Sequence, residues 1–294
     1  MAVLCSRHHR LRHLCLLVPA LGATTAFSAP ASDTIEVRPK KATVVNADAL
    51  DGSYHQPQWT KHRLFTNSRA YVLDENQVEV EAWAKLQTFK DSKENKTTLK
   101  QEIEIGLAHR LQLDIYVNEV NKYNEGKGKR TWDMEGQQYE LRWALADWGQ
   151  IPLNPTLYFE YHPVKNAPER FEFRLLLSDN LAANWHYSVN LGFETDLWGA
   201  KEDGYPEHEI PVTLAIGTTA LCPQVSVGAE VKLEWADGPA NRGHYKQEIV
   251  MGPALQWRPT PEFHLNVSPL FGVKDVAKGA SPVMETWIIA GLEL

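Results

Sequence analysis

The 294-residue chain is poor in cysteine, in positive charge and in long apolar runs, and each shortage excludes a class of protein. Cys5 and Cys15 fall in an N-terminal leader, so Cys222 alone remains and the mature chain can form no intrachain disulfide. A formal charge of −7 leaves no basic stripe for nucleic acid. Beyond the leader, no segment approaches the roughly 20 apolar residues of a transmembrane helix. Since phosphate loops, dinucleotide fingerprints and cysteine-rich sites are also missing, we expect no cofactor, no metal site and no nucleic-acid partner.

Residues 1–28 have the layout of a secretory signal peptide. Three arginines precede an apolar run from Leu14 to Ala23, and Ala26-Phe27-Ser28 supplies small residues before a cut after Ser28. An organelle transit peptide is the alternative, because residues 1–32 contain no acidic side chain, but the compact apolar run argues against it. We therefore predict that the protein is exported and that its signal peptide is cleaved.

From Gln77 to Leu294, apolar and polar side chains alternate in runs of about a dozen residues. A period of two is typical of strands with one apolar and one polar face. These runs exceed the usual strand length of about 5–6 residues. They predict twelve strands, at 77–89, 97–108, 111–120, 135–146, 153–163, 169–178, 184–197, 208–219, 223–235, 247–258, 262–274 and 283–294.

The connections between these strands alternate in length, with 109–110 and 220–222 short and 121–134 and 236–246 long. Outer-membrane barrels have an even strand number, short periplasmic turns and longer external loops. We therefore predict an all-β fold, a transmembrane antiparallel up-and-down β-barrel over residues 77–294, located in the outer membrane of a Gram-negative bacterium.

Alternation alone does not tell a membrane barrel from a soluble barrel with its apolar face inward. The apolar face has no charge within any strand interior, and its aromatic residues, such as Trp185, Trp235 and Trp257, gather near strand ends. Aromatic rings prefer the level of the lipid headgroups. We therefore expect the apolar face to meet outer-membrane lipid.

Residues 29–76 differ from the rest of the chain, because Arg38-Pro39-Lys40-Lys41 and Asp51-Gly52-Ser53 lie in polar sequence with little periodicity. We expect a periplasmic N-terminal extension, either a loosely ordered tail or a plug folded into the barrel. Of these two, the sequence favours the tail.

The polar face carries the candidate functional residues, since it would line the lumen. Opposite charges on neighbouring strands can hold the wall of a barrel that is closed by its own ion pairs. A surplus of carboxylates would instead give a water-filled pore that favours cations and neutral solutes. The predicted pore-lining residues are Glu102, Glu104, Asp114, Glu140, Arg142, Glu160, Arg170, Glu172, Arg174, Glu194, Glu230, Lys232 and Glu248.

One polar strand could indicate catalysis, because His186, Ser188 and Asn190 alternate and point the same way. This set resembles that of the outer-membrane phospholipase, also a twelve-stranded barrel, whose catalytic group faces lipid. Here the parity of the strand puts the set on the side away from lipid. Residues two apart on a strand also lie about 6–7 Å apart, too far for a nucleophile–base hydrogen bond of about 3 Å.

Two stretches carry a resemblance to a family. Residues 69–74, Arg-Ala-Tyr-Val-Leu-Asp, lead into 78–83, and residues 101–113 contain glutamates, a glycine and a tight turn. They resemble the first strand and second hairpin of a broad group of bacterial outer-membrane proteins, which includes transporters and meta-pathway phenol-degradation proteins. The resemblance implies a barrel of about this size and a role in solute passage. Leu294 departs from the group, which usually ends in an aromatic residue that the barrel assembly machinery recognises.

The sequence thus predicts a porin-like protein, a narrow channel for small solutes with an acidic, cation-favouring lumen, and not an enzyme. The alternative is a closed structural or binding barrel that acts through its external loops, and the third possibility is an outer-membrane lipid hydrolase. The expected partners are outer-membrane lipid, the barrel assembly machinery during biogenesis and small solutes.

Overall fold

The computed structural model describes most of the chain after residue 45, so that the predicted signal peptide and residues 29–45 lie outside the described part. The described residues are 46–90, 94–124, 129–163, 168–197, 204–222, 224–238, 242–276 and 281–294. Among these residues, no helix is long and apolar enough to cross a membrane.

The first described segment has little regular structure. Two short strands, β1 (Leu50–Asp51) and β2 (Gln56–Pro57), pair with each other, and a four-residue helix, α1 (Gln58–Lys61), follows. The chain then runs without helix or strand from His62 to Gln77.

Twelve antiparallel strands then form a closed barrel, in which each strand pairs with its neighbours in sequence and the last strand pairs with the first. This confirms the predicted fold class. The strands are β3 (Val78–Thr88), β4 (Glu94–Leu107), β5 (Leu111–Asn124), β6 (Lys129–Ala144), β7 (Thr156–His162), β8 (Arg170–Ala182), β9 (Trp185–Asp196), β10 (His208–Cys222), β11 (Val225–Asp237), β12 (Lys246–Trp257), β13 (Phe263–Gly272) and β14 (Met284–Glu293).

The two ends of the barrel are named here by their connections. The short-turn end carries the 3₁₀ turn Ala108–Arg110 and the connections at 183–184 and 223–224. The loop end carries the connections at 197–207, 238–245 and 273–283. In the predicted long loop 121–134, the hairpin instead continues, since Asn121 pairs with Trp132. Backbone pairing goes on there although the sequence no longer alternates between apolar and polar.

The outer face of the barrel is apolar and the inner face is polar. On β4, Ile103 is 46% exposed, whereas its neighbours Glu102 and Glu104 are 0% and 3% exposed. Val80 on β3 and Ile115 on β5 are likewise exposed. A soluble barrel would bury this apolar face, so the observed orientation is that of a barrel whose outer surface meets lipid.

Residues 46–77, named here the plug segment, lie inside the barrel. Hydrogen bonds join this segment to strands around the whole circumference, namely β3, β4, β5, β6, β8, β9, β10, β11, β12 and β13. Only a segment within the lumen can reach strands on all sides. The described residues 46–76 therefore contact the inner wall of the barrel, and the assignment of residues 29–76 as one extension stays a prediction.

Candidate functional site: the lumen and its plug segment

A continuous row of nine carboxylates crosses the inner face of the barrel. Each member lies directly opposite the next on the neighbouring strand, in the order Glu293, Glu79, Glu104, Asp114, Glu140, Glu160, Glu172, Glu194 and Glu209. Because barrel strands are tilted, this row climbs from the short-turn end at Glu79 to the loop end at Glu209. Like charges directly opposite each other are destabilising, so the carboxylate row needs cationic partners.

In the half of the lumen nearer the short-turn end, here the lower half, the plug segment provides such partners for Glu104 of the row and for the neighbouring Glu81 and Glu102. Arg63 donates from Nε to both carboxylate oxygens of Glu81 at 3.0 Å and from Nη2 to Glu104 at 2.9 Å. Arg69 donates to Glu102 at 2.8 Å and to Glu104 at 3.0 Å. The carboxylate oxygens of Glu81, Glu102 and Glu104 are close enough to share a cation, and the cations between them are these two guanidinium groups.

Aromatic rings complete the surroundings of the two plug arginines. The guanidinium carbon of Arg63 lies 4.1 Å from the centre of the Trp83 ring, and that of Arg69 lies 5.4 Å from it. Arg69 also donates to the Tyr116 hydroxyl at 2.8 Å. Cation–π contacts that are shielded from water add to the stabilisation from ion pairs. The two arginines are therefore held both by carboxylates and by aromatic side chains.

Carboxylates of the barrel wall also bind the backbone of the plug segment. Glu230 on β11 accepts from the N–H of Thr66 and of Asn67, both at 2.7 Å. Gln112 on β5 accepts from the N–H of Leu73 at 2.7 Å. After α1 the plug segment has no regular structure to satisfy its own peptide groups, and inward side chains of the wall satisfy several of them.

A barrel arginine completes the ion pairs of the lower half. Arg142 on β6 donates to Asp114 at 2.6 Å and also to Glu140. The positions of the turns in the sequence predict Glu104 near Asp114, and Arg142 near Tyr158 and Glu160; the observed pairing places Glu104 opposite Asp114 and Arg142 opposite Tyr158. Arg142, however, takes its carboxylate partners from its own strand and β5 rather than from Glu160.

The candidate catalytic set on β9 binds the plug segment instead of forming a nucleophile–base pair. Ser188 donates to the carbonyl of Arg69 at 2.6 Å, and Asn190 binds both the N–H and the carbonyl of Arg69 at 2.8 Å. His186 stacks on Trp59 of the plug segment at 4.7 Å. Its ring nitrogens lie 3.1 Å from Asn180 and 3.3 Å from Thr219. The spacing along β9 predicts that these side chains point inward. In the lumen, Ser188 and Asn190 bind the backbone of the plug segment, and His186 contacts its Trp59 side chain.

The half nearer the loop end, here the upper half, contains a cavity of about 280 Å³. The plug residues Arg63, Thr66, Asn67 and Arg69 form part of its lining. Seven basic and six acidic side chains line this cavity: Arg63, Arg69, Lys85, Lys100, Arg170, Arg174 and Lys232, with Glu140, Glu160, Glu172, Glu194, Glu209 and Glu234. With the plug segment in place, the cavity therefore has no surplus of carboxylates.

In the ion pairs of the upper half the basic side chains are partly exposed, whereas Glu172 and Glu285 are buried. Arg174 donates to Glu172 at 2.6 Å, and Arg170 donates to Glu194 at 2.7 Å. Across the cavity, Lys232 lies 3.3 Å from Glu248 and 3.6 Å from Glu285, and Lys85 lies 3.4 Å from Glu285.

The thirteen predicted pore-lining residues all lie on the inner face, and the structure sorts them into two sets. Glu102, Glu104, Asp114, Arg142 and Glu230 belong to the buried lower half, and Glu160, Arg170, Glu172, Arg174, Glu194, Lys232 and Glu248 belong to the upper half, with the buried Glu140 at the boundary, on the floor of the cavity. Their role in lining a conducting pore stays a prediction.

Sequence reasoning missed the plug arginines, Arg63 and Arg69, and the inward aromatic residues Trp83 and Tyr116. The segment with the arginines lacks periodicity, so nothing in it indicated a direction for its side chains. The signal that could have found them is charge complementarity, since Lys61, Arg63 and Arg69 precede a barrel with an acid-rich inner face.

No protein-family model and no curated protein matches the chain. Among solved structures, an outer-membrane channel from Pseudomonas putida F1 is similar, with a TM-score of 0.54, 8% sequence identity, and coverage of 78% of this chain and 100% of that chain. The NanC porin has a TM-score of 0.49 and 14% identity, and covers 74% of this chain and 98% of that chain. The chain therefore has the fold of outer-membrane barrels, and the likeness does not single out the phenol-degradation group.

Proposed function

We propose that the protein is an outer-membrane channel for small solutes, and that this structure is its closed state. The observation that carries the proposal is the carboxylate row, which runs from one end of the lumen to the other, while the plug arginines bind its member Glu104 and the neighbouring Glu81 and Glu102. The apolar outer face supports a location in the outer membrane. The fold that the chain shares with an outer-membrane channel supports solute passage.

The cation preference expected from the sequence would belong to the open state. With the plug segment docked, basic and acidic side chains around the upper cavity nearly balance. If the plug segment left, Arg63 and Arg69 would leave with it, and Glu81, Glu102 and Glu104 would lose their partners. A lumen lined by these carboxylates would favour cations over anions.

A second candidate function has support of its own. The plug segment hydrogen-bonds to strands on all sides of the lumen, and its ion pairs are almost fully buried. Such a plug fits a permanently closed barrel that serves a structural role or binds partners through its external loops. The two candidates differ in whether any condition or variant opens a conducting path.

Single-channel recording in a planar bilayer under a salt gradient tests the proposal. The full chain is compared with the double variant Arg63→Ala/Arg69→Ala, which removes both cations from the lower half. The control is Arg110→Ala, which removes an arginine that pairs with Asp147 at the short-turn end, where it is partly exposed. Heat-modifiable mobility of each protein on gels establishes that the barrel is folded.

We expect the wild type and Arg110→Ala to conduct rarely and the double variant to show steady, cation-preferring conductance. Adding Glu172→Lys to the double variant should lower the preference for cations, because Glu172 belongs to the carboxylate row in the upper half. Silence from a folded double variant, with the plug segment displaced, would reject the channel in favour of the closed barrel.

A further inference from the structure

A buried histidine lies at the seam between the plug segment and the barrel wall. His62 follows α1 directly and is 4% exposed. Its Nδ1 atom has no hydrogen-bond partner, and its Nε2 atom lies 3.9 Å from a carboxylate oxygen of Glu293. A buried polar ring with one unsatisfied nitrogen is uncommon in folded proteins, so it calls for a physical explanation.

Next to His62 lies a second histidine ring, His264 on β13, with the two ring centres 6.3 Å apart. Nε2 of His264 lies 2.8 Å from a Glu79 oxygen and 3.2 Å from a Glu81 oxygen. Its Nδ1 lies 2.9 Å from Oδ1 of Asn266, whose amide nitrogen donates to the carbonyl of Arg63. Both ring nitrogens of His264 thus face acceptors, so this ring donates twice and is a cation.

The charged groups around His62 come from every element packed against it. Lys61 precedes it on α1, Arg258 follows β12, His264 belongs to β13, Glu79 and Glu81 belong to β3, and Glu293 ends β14. The carboxylates of β3 are already bonded to His264 and Arg63. Protonation of His62 would therefore place a further positive charge beside three cations in a buried seam, where the nearest carboxylate is the partly exposed Glu293 at 3.9 Å.

We propose that His62 is a pH-sensitive latch, which docks the plug segment at neutral pH and loosens it as the pH falls. The proposal deepens the proposed function, on which it rests, by naming what would open the closed state. Burial in the first place, and then Arg258, His264 and Lys61, hold the pKa of the docked His62 well below its usual range.

The direction of the effect follows from linkage. An undocked, solvated His62 takes up a proton near pH 6.5, whereas the docked ring does so only at lower pH. The contribution of His62 to docking is therefore fully present above about pH 6.5 and is lost as the pH falls below that value. Between pH 7.5 and 5.5 the docking equilibrium should weaken by about tenfold, the value for one proton that the undocked ring takes up near pH 6.5 while the docked ring stays neutral.

The test uses the full chain with two readouts. The first is the open fraction in a planar bilayer at pH 7.5 and 5.5. The second does not require conduction: in a Cys222→Ser background, Ser68→Cys places a thiol at a position that is 3% exposed while the plug segment is docked. Its labelling rate by a membrane-impermeant maleimide is divided by that of a free model thiol at the same pH.

Three variants isolate His62. His62→Gln stays neutral and should lose most of the tenfold response, and His62→Lys stays charged and should be loosened at both pH values. His109→Gln is the matched control, because His109 lies exposed in the Ala108–Arg110 turn, and should keep the wild-type response. If His62→Lys does not assemble, the difference between wild type and His62→Gln decides the question.

A pH response in both readouts that His62→Gln abolishes would support the latch. An equal response in His62→Gln would overturn it and leave the channel to be judged by the arginine double variant. A third outcome is that labelling follows the expected pattern while neither the wild type nor that double variant conducts. That result would support pH-dependent docking through His62 and reject the proposed channel function.

Discussion

The two halves of the lumen both carry carboxylates on the inner face of the barrel but differ in what these carboxylates contact. In the lower half, Glu102 and Glu104 are almost fully buried and bind guanidinium groups of the plug segment. In the upper half, Glu172 and Glu194 face a cavity and pair with arginines of the wall. The alternation of apolar and polar residues along a strand therefore determines which charged side chains point into the lumen. The plug segment determines which of them it covers.

The energetic consequences of this difference are large. Removing one partner of a buried ion pair leaves an uncompensated charge and costs about 3–5 kcal/mol. Solvated ion pairs contribute about 0–1 kcal/mol, because water screens the charges that remain. Matched substitutions in the two halves should therefore lower the free energy of unfolding by different amounts. Measuring both losses tests the comparison.

The largest effect is expected for Arg63→Met, which keeps most of the side-chain volume and removes the charge. Glu81, Glu102 and Glu104 would lose a shared partner in a buried site. We expect the free energy of unfolding to fall by about 3–5 kcal/mol. Denaturant titration of the detergent-solubilised protein, followed by heat-modifiable mobility, measures it.

Arg174→Met is the control for this substitution in the upper half. The Arg174 side chain is 22% exposed and lines the cavity, whereas its partner Glu172 is 5% exposed, so we expect a smaller loss than for Arg63→Met, about 1–3 kcal/mol. Equal losses for the two variants would contradict the division of the lumen into a buried and an accessible half.

An intermediate effect is expected for Glu230→Gln. The carboxylate of Glu230 accepts from two peptide N–H groups of the plug segment, and the single amide oxygen of glutamine has no negative charge. One buried N–H would be left poorly satisfied, at a cost of about 1–3 kcal/mol. The same denaturant titration measures this loss.

Glu248→Gln is the control in the upper half, since Glu248 contacts Lys232 and no plug residue among its described partners. It should change stability by about 1 kcal/mol or less. A larger loss for Glu248→Gln than for Glu230→Gln would show that binding of the plug backbone adds little stability.

The barrel could be predicted from the sequence because its physical cause is local. Lipid on one side and a polar lumen on the other impose a period of two, which Ile103-Glu104-Ile105 displays directly. The pairing of Glu104 with Asp114 followed from one tight turn, for the same reason.

The contents of the lumen could not be predicted in this way, because the contacts that fix them are distant in sequence. Thr66 and Glu230 are 164 residues apart, and Arg63 and Glu104 are 41 residues apart. No periodicity within residues 46–77 indicates these partners, since residues close together in the plug segment contact strands on different sides of the barrel. The separation of the pore-lining residues into two sets depends on the same contacts.

The smallest effect in stability is expected for Ser188→Ala, which also separates the plug contact from the lipid-hydrolase hypothesis. The variant removes the hydrogen bond to the Arg69 carbonyl and the one from Ser178, at a cost of about 0.5–1.5 kcal/mol. Ser226→Ala is its control, because Ser226 is also inward but bonds to Gln256 on the wall. We expect Ser188→Ala to raise the Ser68→Cys labelling rate more than Ser226→Ala does, and to leave hydrolysis of phospholipid vesicles at the background of the wild type. Loss of a wild-type phospholipase activity in Ser188→Ala would instead make the lower half a catalytic site, and the contrast between the two halves would then be one of chemistry and not of accessibility.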